Sequence, residues 1–199
     1  MCQLLGMNCN VPTDVTFSFR GFAQRGGHTD HHSDGWGIAF FEGETVAGCD
    51  KGLRHFVDHQ PASSSPVAEL ISRYPIKSRH VIAHIRKATQ GRVALENTHP
   101  FVRELATTIA RHGTFNFLLS NGQALWAHAS TSLYYVERRH PFTHATLGDD
   151  DVSVNFAEYT SPADRVAVVV TAPLTTDEQW TAFAPGELKV FANGSLLAD

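Results

Sequence analysis

At 199 residues with 42% apolar content, the chain is long enough to bury one core and short for two, so a single domain over residues 1–199 is expected. Lys and Arg number 16 against 20 Asp and Glu, and the resulting charge of -4 argues against a surface that tracks nucleic-acid phosphates. No apolar run approaches the roughly 20 residues that span a bilayer, and the N-terminus lacks a basic region followed by an apolar stretch. Neither nucleic acid nor a membrane is therefore expected as a partner, and the sequence reads as cytoplasmic.

The first helical signal is Asp14 to Gln24, where Val15, Phe17, Phe19, Phe22 and Ala23 form a stripe and Thr13 offers an N-cap. Trp36 to Phe41 and Thr45 to Cys49 read as a hairpin across Glu42-Gly43-Glu44. After an exposed loop at Pro61 to Pro66, the Ser65-Pro66 pair starts a short helix that Tyr74-Pro75 stops. Arg79 to Arg86 reads as a strand with His80, Ile82, His84 and Arg86 on one face and Val81, Ala83 and Ile85 on the other.

The second half repeats the strand theme. Phe115 to Ser120 and Ala124 to Ala129 flank Asn121-Gly122, the strongest kind of local hairpin signal. Ser132 to Arg138, Arg165 to Thr171 and Leu188 to Leu197 follow, the last interrupted by Asn193-Gly194. One more helix is expected over Asp177 to Phe183, behind the cap candidates Thr175 and Thr176. The pattern predicts antiparallel sheets with a few helices, an α+β class.

Three cysteines, Cys2, Cys9 and Cys49, are an odd number without a CxxC pair, so neither a disulfide framework nor a cysteine zinc site is indicated. Cys2 directly follows the initiator methionine. Removal of Met1, usual before a small side chain, would leave one residue carrying both a thiol and a free α-amine. These titrate near about 8.5 and about 7.7 to 8.0, close enough for the neutral amine to take the thiol proton. On position alone, an ordinary cysteine in an early strand is the plainer reading.

Other segments reverse that weighting. Met1-Cys2-Gln3-Leu4-Leu5-Gly6, then Gln24-Arg25-Gly26-Gly27 with Ser33-Asp34-Gly35-Trp36-Gly37-Ile38, then His84-Ile85-Arg86-Lys87-Ala88-Thr89-Gln90-Gly91, then Glu96-Asn97-Thr98-His99-Pro100-Phe101 occur in that order. This ordered set resembles the class II glutamine amidotransferases, the N-terminal nucleophile amidohydrolases, and in particular their small stand-alone members. The resemblance implies a four-layer αββα sandwich, two antiparallel sheets faced by helices. It also implies hydrolysis of glutamine or a γ-glutamyl amide through a thioester on Cys2, with no cofactor and no metal. Arg86 then matches the arginine that clamps the substrate α-carboxylate, a task suited to a planar bidentate donor. Thr89 and His99 match residues lining the same pocket, and Arg25 matches one that holds the nucleophile's surroundings. His84, on the Arg86 face, reads as a structural polar group. The kinds of protein partner implied are a second copy or a synthase subunit.

The sequence departs from the family at one place. Members carry a histidine-asparagine-glycine motif after the Thr-His-Pro-Phe segment, which forms the oxyanion hole, and then an acidic residue that grips the substrate amine. Here the chain passes from Phe101-Val102-Arg103-Glu104-Leu105 through Ala106 to Ala110 into Gly113-Thr114-Phe115, a later part of the fold, so a block is missing around Leu105 to Ala110. Asn121-Gly122 is no substitute, because strand sequence on both sides makes it a hairpin tip. Two other readings stand beside the enzyme. A catalytically silent sandwich is one, and a metal-binding module is the other, built on the loop His28-Thr29-Asp30-His31-His32.

Overall fold

The N-terminal strand organises the molecule. In the computed structural model, which describes residues 2–42, 52–88 and 115–197, β1 runs over Gln3–Asp14. Its alternation splits two cores. Leu5, Met7 and Cys9 face one side, and Leu4 faces the other.

The remaining elements follow in order: α1 (Thr16–Gln24), β2 (Trp36–Phe41), β3 (Leu53–Asp58), α2 (Pro66–Arg73) and β4 (Lys77–Ile85). Past residue 114 come β5 (Phe117–Ser120), β6 (Ala124–His128), β7 (Tyr134–Arg139), β8 (His144–Thr146), β9 (Ser153–Asn155) and β10 (Arg165–Val170). The chain finishes with β11 (Thr181–Ala182), β12 (Leu188–Ala192) and β13 (Ser195–Leu196). One sheet has the order β11-β7-β10-β1-β4-β2-β3 and a second the order β13-β12-β6-β5. Every neighbouring pair in both sheets is antiparallel. β8 and β9 form a separate small hairpin.

The first core lies between the larger sheet and the two helices. Trp36, Ile38 and Phe40 from β2 and Val81, Ala83 and Ile85 from β4 meet Phe19, Phe22 and Ala23 from α1 and Ala68 and Ile71 from α2. The second core lies between the sheets, where Leu4, Ile82, Ala167 and Val169 meet Leu118, Leu125, Ala127 and Phe191. A Cβ on Gly6 would stand 3.0 Å from both Leu118 Cδ1 and Leu125 Cδ2, so the absent side chain lets the second sheet close onto β1. The predicted two-faced reading of the Arg79 to Arg86 strand therefore holds.

The architecture is the expected α+β sandwich of two antiparallel sheets, in the order helices, sheet, sheet. A second helical layer is not found among the described residues. The outward face of the smaller sheet carries Phe117, Leu119, Trp126 and Val190, and α1 and α2 both pack on the other side of the molecule. Neither of these helices is long and apolar enough to cross a membrane.

Several local expectations are corrected. α1 begins at Thr16 because Thr13 and Asp14 still pair with Ser78 and Lys77 in β1. The N-cap position is Val15, which has no side-chain cap, and the preceding Asp14 accepts from the Thr16 backbone N–H through Oδ1 at 2.7 Å. The strand beside β2 is Leu53–Asp58, whereas Thr45 to Cys49 lie outside the described residues. No helix forms over Asp177 to Phe183. Glu178 is instead held by Arg138, Trp180 Nε1 donates to Thr175 Oγ1 at 3.0 Å, and Thr181–Ala182 extends the sheet beside β7. The expected Ser65 cap holds. Its Oγ accepts from the Ala68 N–H at 3.2 Å and donates to Asp58 Oδ2 at 2.6 Å, with Pro66 in the first turn.

Candidate active site

Antiparallel pairing brings four chain segments to one end of the larger sheet. Gln3 pairs with Ile85, Trp36 pairs with the same residue from the other side, and Leu5 pairs with Val170. The start of β1, the end of β4, the loop before β2 and the end of β10 therefore meet. Cys2 stands here, partly exposed, with its Sγ 3.7 Å from the Lys87 carbonyl oxygen. Gln3 faces Ile85, so Cys2 sits in register with Arg86.

The loop after β4 is tied down by the glycine-rich segment. Arg86 N–H donates to the Gly35 carbonyl at 2.8 Å, Asp34 N–H to the Arg86 carbonyl at 3.3 Å, and Ala88 N–H to Asp34 Oδ2 at 2.7 Å. Arg86 is buried, as is His84 behind it. Asp34 thus fixes the backbone on either side of Lys87, through its N–H at Arg86 and its carboxylate at Ala88, and the Lys87 carbonyl faces the Cys2 thiol.

The end of β10 holds the other side. Thr171 N–H donates to the Leu4 carbonyl at 3.2 Å, and Thr171 Oγ1 accepts from the Leu4 N–H at 3.2 Å. The same hydroxyl donates to Gln3 Oε1, while Gln3 Nε2 donates to Asp30 Oδ2 at 3.0 Å. Asp30 Oδ2 also lies 2.9 Å from Nδ1 of the buried His32. Burial alone would raise the Asp30 carboxyl. The His31 N–H, the His32 ring and Gln3 outweigh it and hold it below its usual value, so the group is ionised at neutral pH.

Arg25 is placed differently from a ligand-facing arginine. Its Nε donates to Asp149 Oδ2 at 2.8 Å, one terminal nitrogen to the Ala172 carbonyl at 2.7 Å and the other to the Pro173 carbonyl at 2.5 Å. The two carbonyl contacts hold the segment that follows Thr171, and the third joins it to Asp149 between β8 and β9. Thr89 and His99 lie outside the described residues.

The histidine-rich loop sends its side chains to separate partners. His28 Nδ1 pairs with Gln24 Oε1 at 3.0 Å, His32 pairs with Asp30, and His31 is exposed. Among the described residues no three metal-ligating side chains come together. Asn121-Gly122 is the expected hairpin tip: Gly122 has φ of 82°, and Asn121 Oδ1 accepts from the Gln123 and Ala124 N–H groups, both at 3.0 Å.

The contrast between the two described cysteines is chemical. Cys9 faces the first core, and burial pushes its thiol up to about 12, which removes it as a nucleophile. Cys2 is partly open to solvent at the meeting point of four segments.

Comparison with known proteins gives the family. The model for class II glutamine amidotransferases matches residues 1–108 and 102–199. The chain belongs to the class II glutamine amidotransferases. A Haemophilus influenzae protein provisionally named a glutamine amidotransferase is 42% identical, the alignment covering 100% of this chain and 87% of that protein. A protein of Escherichia coli K12 with the same provisional name, YafJ, is 40% identical over 98% of each chain. The crystal structure of a predicted glutamine amidotransferase from Pseudomonas aeruginosa is 32% identical, covers 100% of both chains and superposes with a TM-score of 0.67. The allosteric regulatory enzyme of purine biosynthesis shares the fold at 13% identity and a TM-score of 0.55, covering 98% of this chain and 48% of that one. The architecture is accordingly the amidotransferase sandwich of the N-terminal nucleophile hydrolases.

The amidotransferase match also locates the difference from its relatives. The alignment to the Haemophilus influenzae protein spans 262 positions, although the chain has 199 residues. The two family matches overlap at 102–108, at the Leu105 to Ala110 stretch where the sequence departs from the family. Membership supports amide hydrolysis of glutamine as the general activity. Sequence reasoning missed Gln3, Asp30, His32, Asp34 and Thr171 as site residues. The signals were present in the Asp34-Gly35-Trp36-Gly37 run and in the histidine-rich loop, but their partners are distant in the chain.

Proposed function

We propose that the protein is a glutamine or γ-glutamyl amide hydrolase working through Cys2 as the first residue of the processed chain. The observation that carries this reading is Cys2 at the convergence of four segments, in register with Arg86 and 3.7 Å from the Lys87 carbonyl. The α-amine of Cys2 takes the thiol proton, and the sulfur attacks the side-chain amide carbon. The C–N bond breaks as the amine returns that proton to the departing ammonia, leaving a γ-glutamyl thioester. Water then adds to the thioester, the C–S bond breaks and the thiol is restored.

Arg86, Thr89 and His99 are proposed as substrate-binding residues, with Arg86 on the α-carboxylate. Arg25 is proposed as a positioning residue, since its guanidinium holds Asp149, Ala172 and Pro173. Loss of one oxyanion-hole donor costs about 100 to 1,000-fold in rate. Turnover slower than in the longer relatives by at least that factor is expected, from the missing block between 102 and 108. That gap also favours a second reading, a silent sandwich that has kept the pocket and lost the chemistry.

Intact mass should show loss of Met1, and Cys2→Ala should abolish ammonia release from glutamine. Full activity in the alanine variant would refute the nucleophile. A wild-type protein that releases no ammonia and is not alkylated at Cys2 by a glutamine-analogue electrophile would establish the silent reading.

A further inference from the structure

We infer that Asp30 is a positioning residue that holds the nucleophile end of β1 through Gln3 and Thr171. The inference rests on Cys2 being the nucleophile. A strand whose first residue is the reactive one has no preceding chain to restrain it, and chain ends fray. Regular pairing of β1 with β10 starts only at Leu5, opposite Val170. Gln3 and Leu4 pair with Ile85 and His84 of β4 on one side, but toward β10 they are held by one backbone bond, Thr171 N–H to the Leu4 carbonyl, and otherwise by side chains.

Asp30 is the anchor of that arrangement. Its Oδ2 accepts from Gln3 Nε2 at 3.0 Å and faces His32 Nδ1 at 2.9 Å, while its Oδ1 accepts from the His31 N–H at 2.6 Å. The His31 and His32 contacts fix the carboxylate within its own loop, and His32 is only 5% exposed, so the anchor is itself seated. Gln3 then reaches the Thr171 hydroxyl with its other amide atom, and that hydroxyl accepts from the Leu4 N–H at 3.2 Å. The side chain of residue 3 is thus gripped at both ends, and the backbone of residue 4 is gripped by the same hydroxyl. Reacting groups must be held to within about half an ångström for full rate, so slack here reaches Cys2 directly. The loop that reads in sequence as a metal binder serves as a brace for the chain terminus.

Asp30→Asn keeps an acceptor toward Gln3, and Asp30→Ala removes it. In wild type, Asp30→Asn and Asp30→Ala, labelling of Cys2 by a glutamine-analogue electrophile is resolved into a maximal rate and a half-saturating concentration. Hydrogen exchange at the Leu4 amide is followed in parallel. Asp30→Ala should lower the maximal rate about tenfold with half-saturation changed less than about twofold, because the Arg86 loop is held separately by Asp34 and Gly35. It should also speed Leu4 exchange at least about tenfold, and Asp30→Asn should restore most of both. Equal Leu4 exchange in wild type and Asp30→Ala, or a parallel loss of protection across the whole sheet, overturns the inference. If wild-type Cys2 is not labelled, the hydrolase reading fails, and Leu4 exchange by itself still decides the brace.

Discussion

Single side chains in this fold are fixed by what burial permits. Asn8 is wholly buried, and its amide bridges the sheets: Nδ2 meets His80 Nδ1 at 3.3 Å, and Oδ1 accepts from the Gly194 N–H at 2.7 Å. Gly194 has φ of 76°, and a Cβ there would stand 2.1 Å from the Arg165 carbonyl oxygen, so no other residue fits. Burial, aided by the Arg79 charge, pushes His80 down from 6.5 to about 4, so the folded protein holds it neutral. The unfolded chain binds a proton there below about pH 6.5 and the folded one only near pH 4. Stability contributed by neutral His80 is therefore present above pH 6.5 and lost progressively as pH falls to 4. His80→Gln should flatten the dependence of urea midpoint on pH across that window, and an unchanged slope would show that another group is responsible.

Among the elements, α2 and the Asp177 to Phe183 segment show how far local signals carry. α2 has its cap, its proline and its stop written in adjacent residues, and it forms where expected. Ser65→Ala removes both the cap to Ala68 and the contact to Asp58. A loss of about 1 to 2 kcal/mol is expected, read as a Tm fall of roughly 2–8 °C in thermal denaturation. The Asp177 to Phe183 segment had similar cap signals and formed no helix. Its Glu178 makes two hydrogen bonds of 2.7 Å to Arg138, under the Phe156 ring 4.6 Å from the guanidinium carbon, and that distant partner outweighs local propensity. β1 shows the reverse, since pairing with β4 at Ser78 and Lys77 draws Thr13 and Asp14 into strand and delays α1.

For the whole molecule, the buried Arg138–Glu178 pair ties the loop after β10 to β7, with both side chains under 9% exposed. Removing one partner strands a buried charge, so Glu178→Ala should cost about 3 to 5 kcal/mol in denaturant unfolding. Arg20→Ala, which breaks an ion pair whose arginine is half exposed, should cost far less. A cost for Glu178→Ala no larger than that for Arg20→Ala would show that the tie is not structural. The sandwich was implied by the family resemblance, and period-two alternation by itself separated the Val81, Ala83 and Ile85 face from the Ile82 face, which the fold places in different cores. The family and the break near residue 105 were legible too, because their marks are contiguous residue runs. What only the tertiary structure decided is which distant groups meet. Asp30 reaches Gln3 across 27 positions and Thr171 reaches it across 168, and a sequence has no term for a hydrogen bond between residues whose neighbourhood exists only after the sheets have closed. The histidine-rich loop is the clearest case: its composition suggested ligands for a metal, and its position turns its carboxylate, Asp30, toward the chain's first strand.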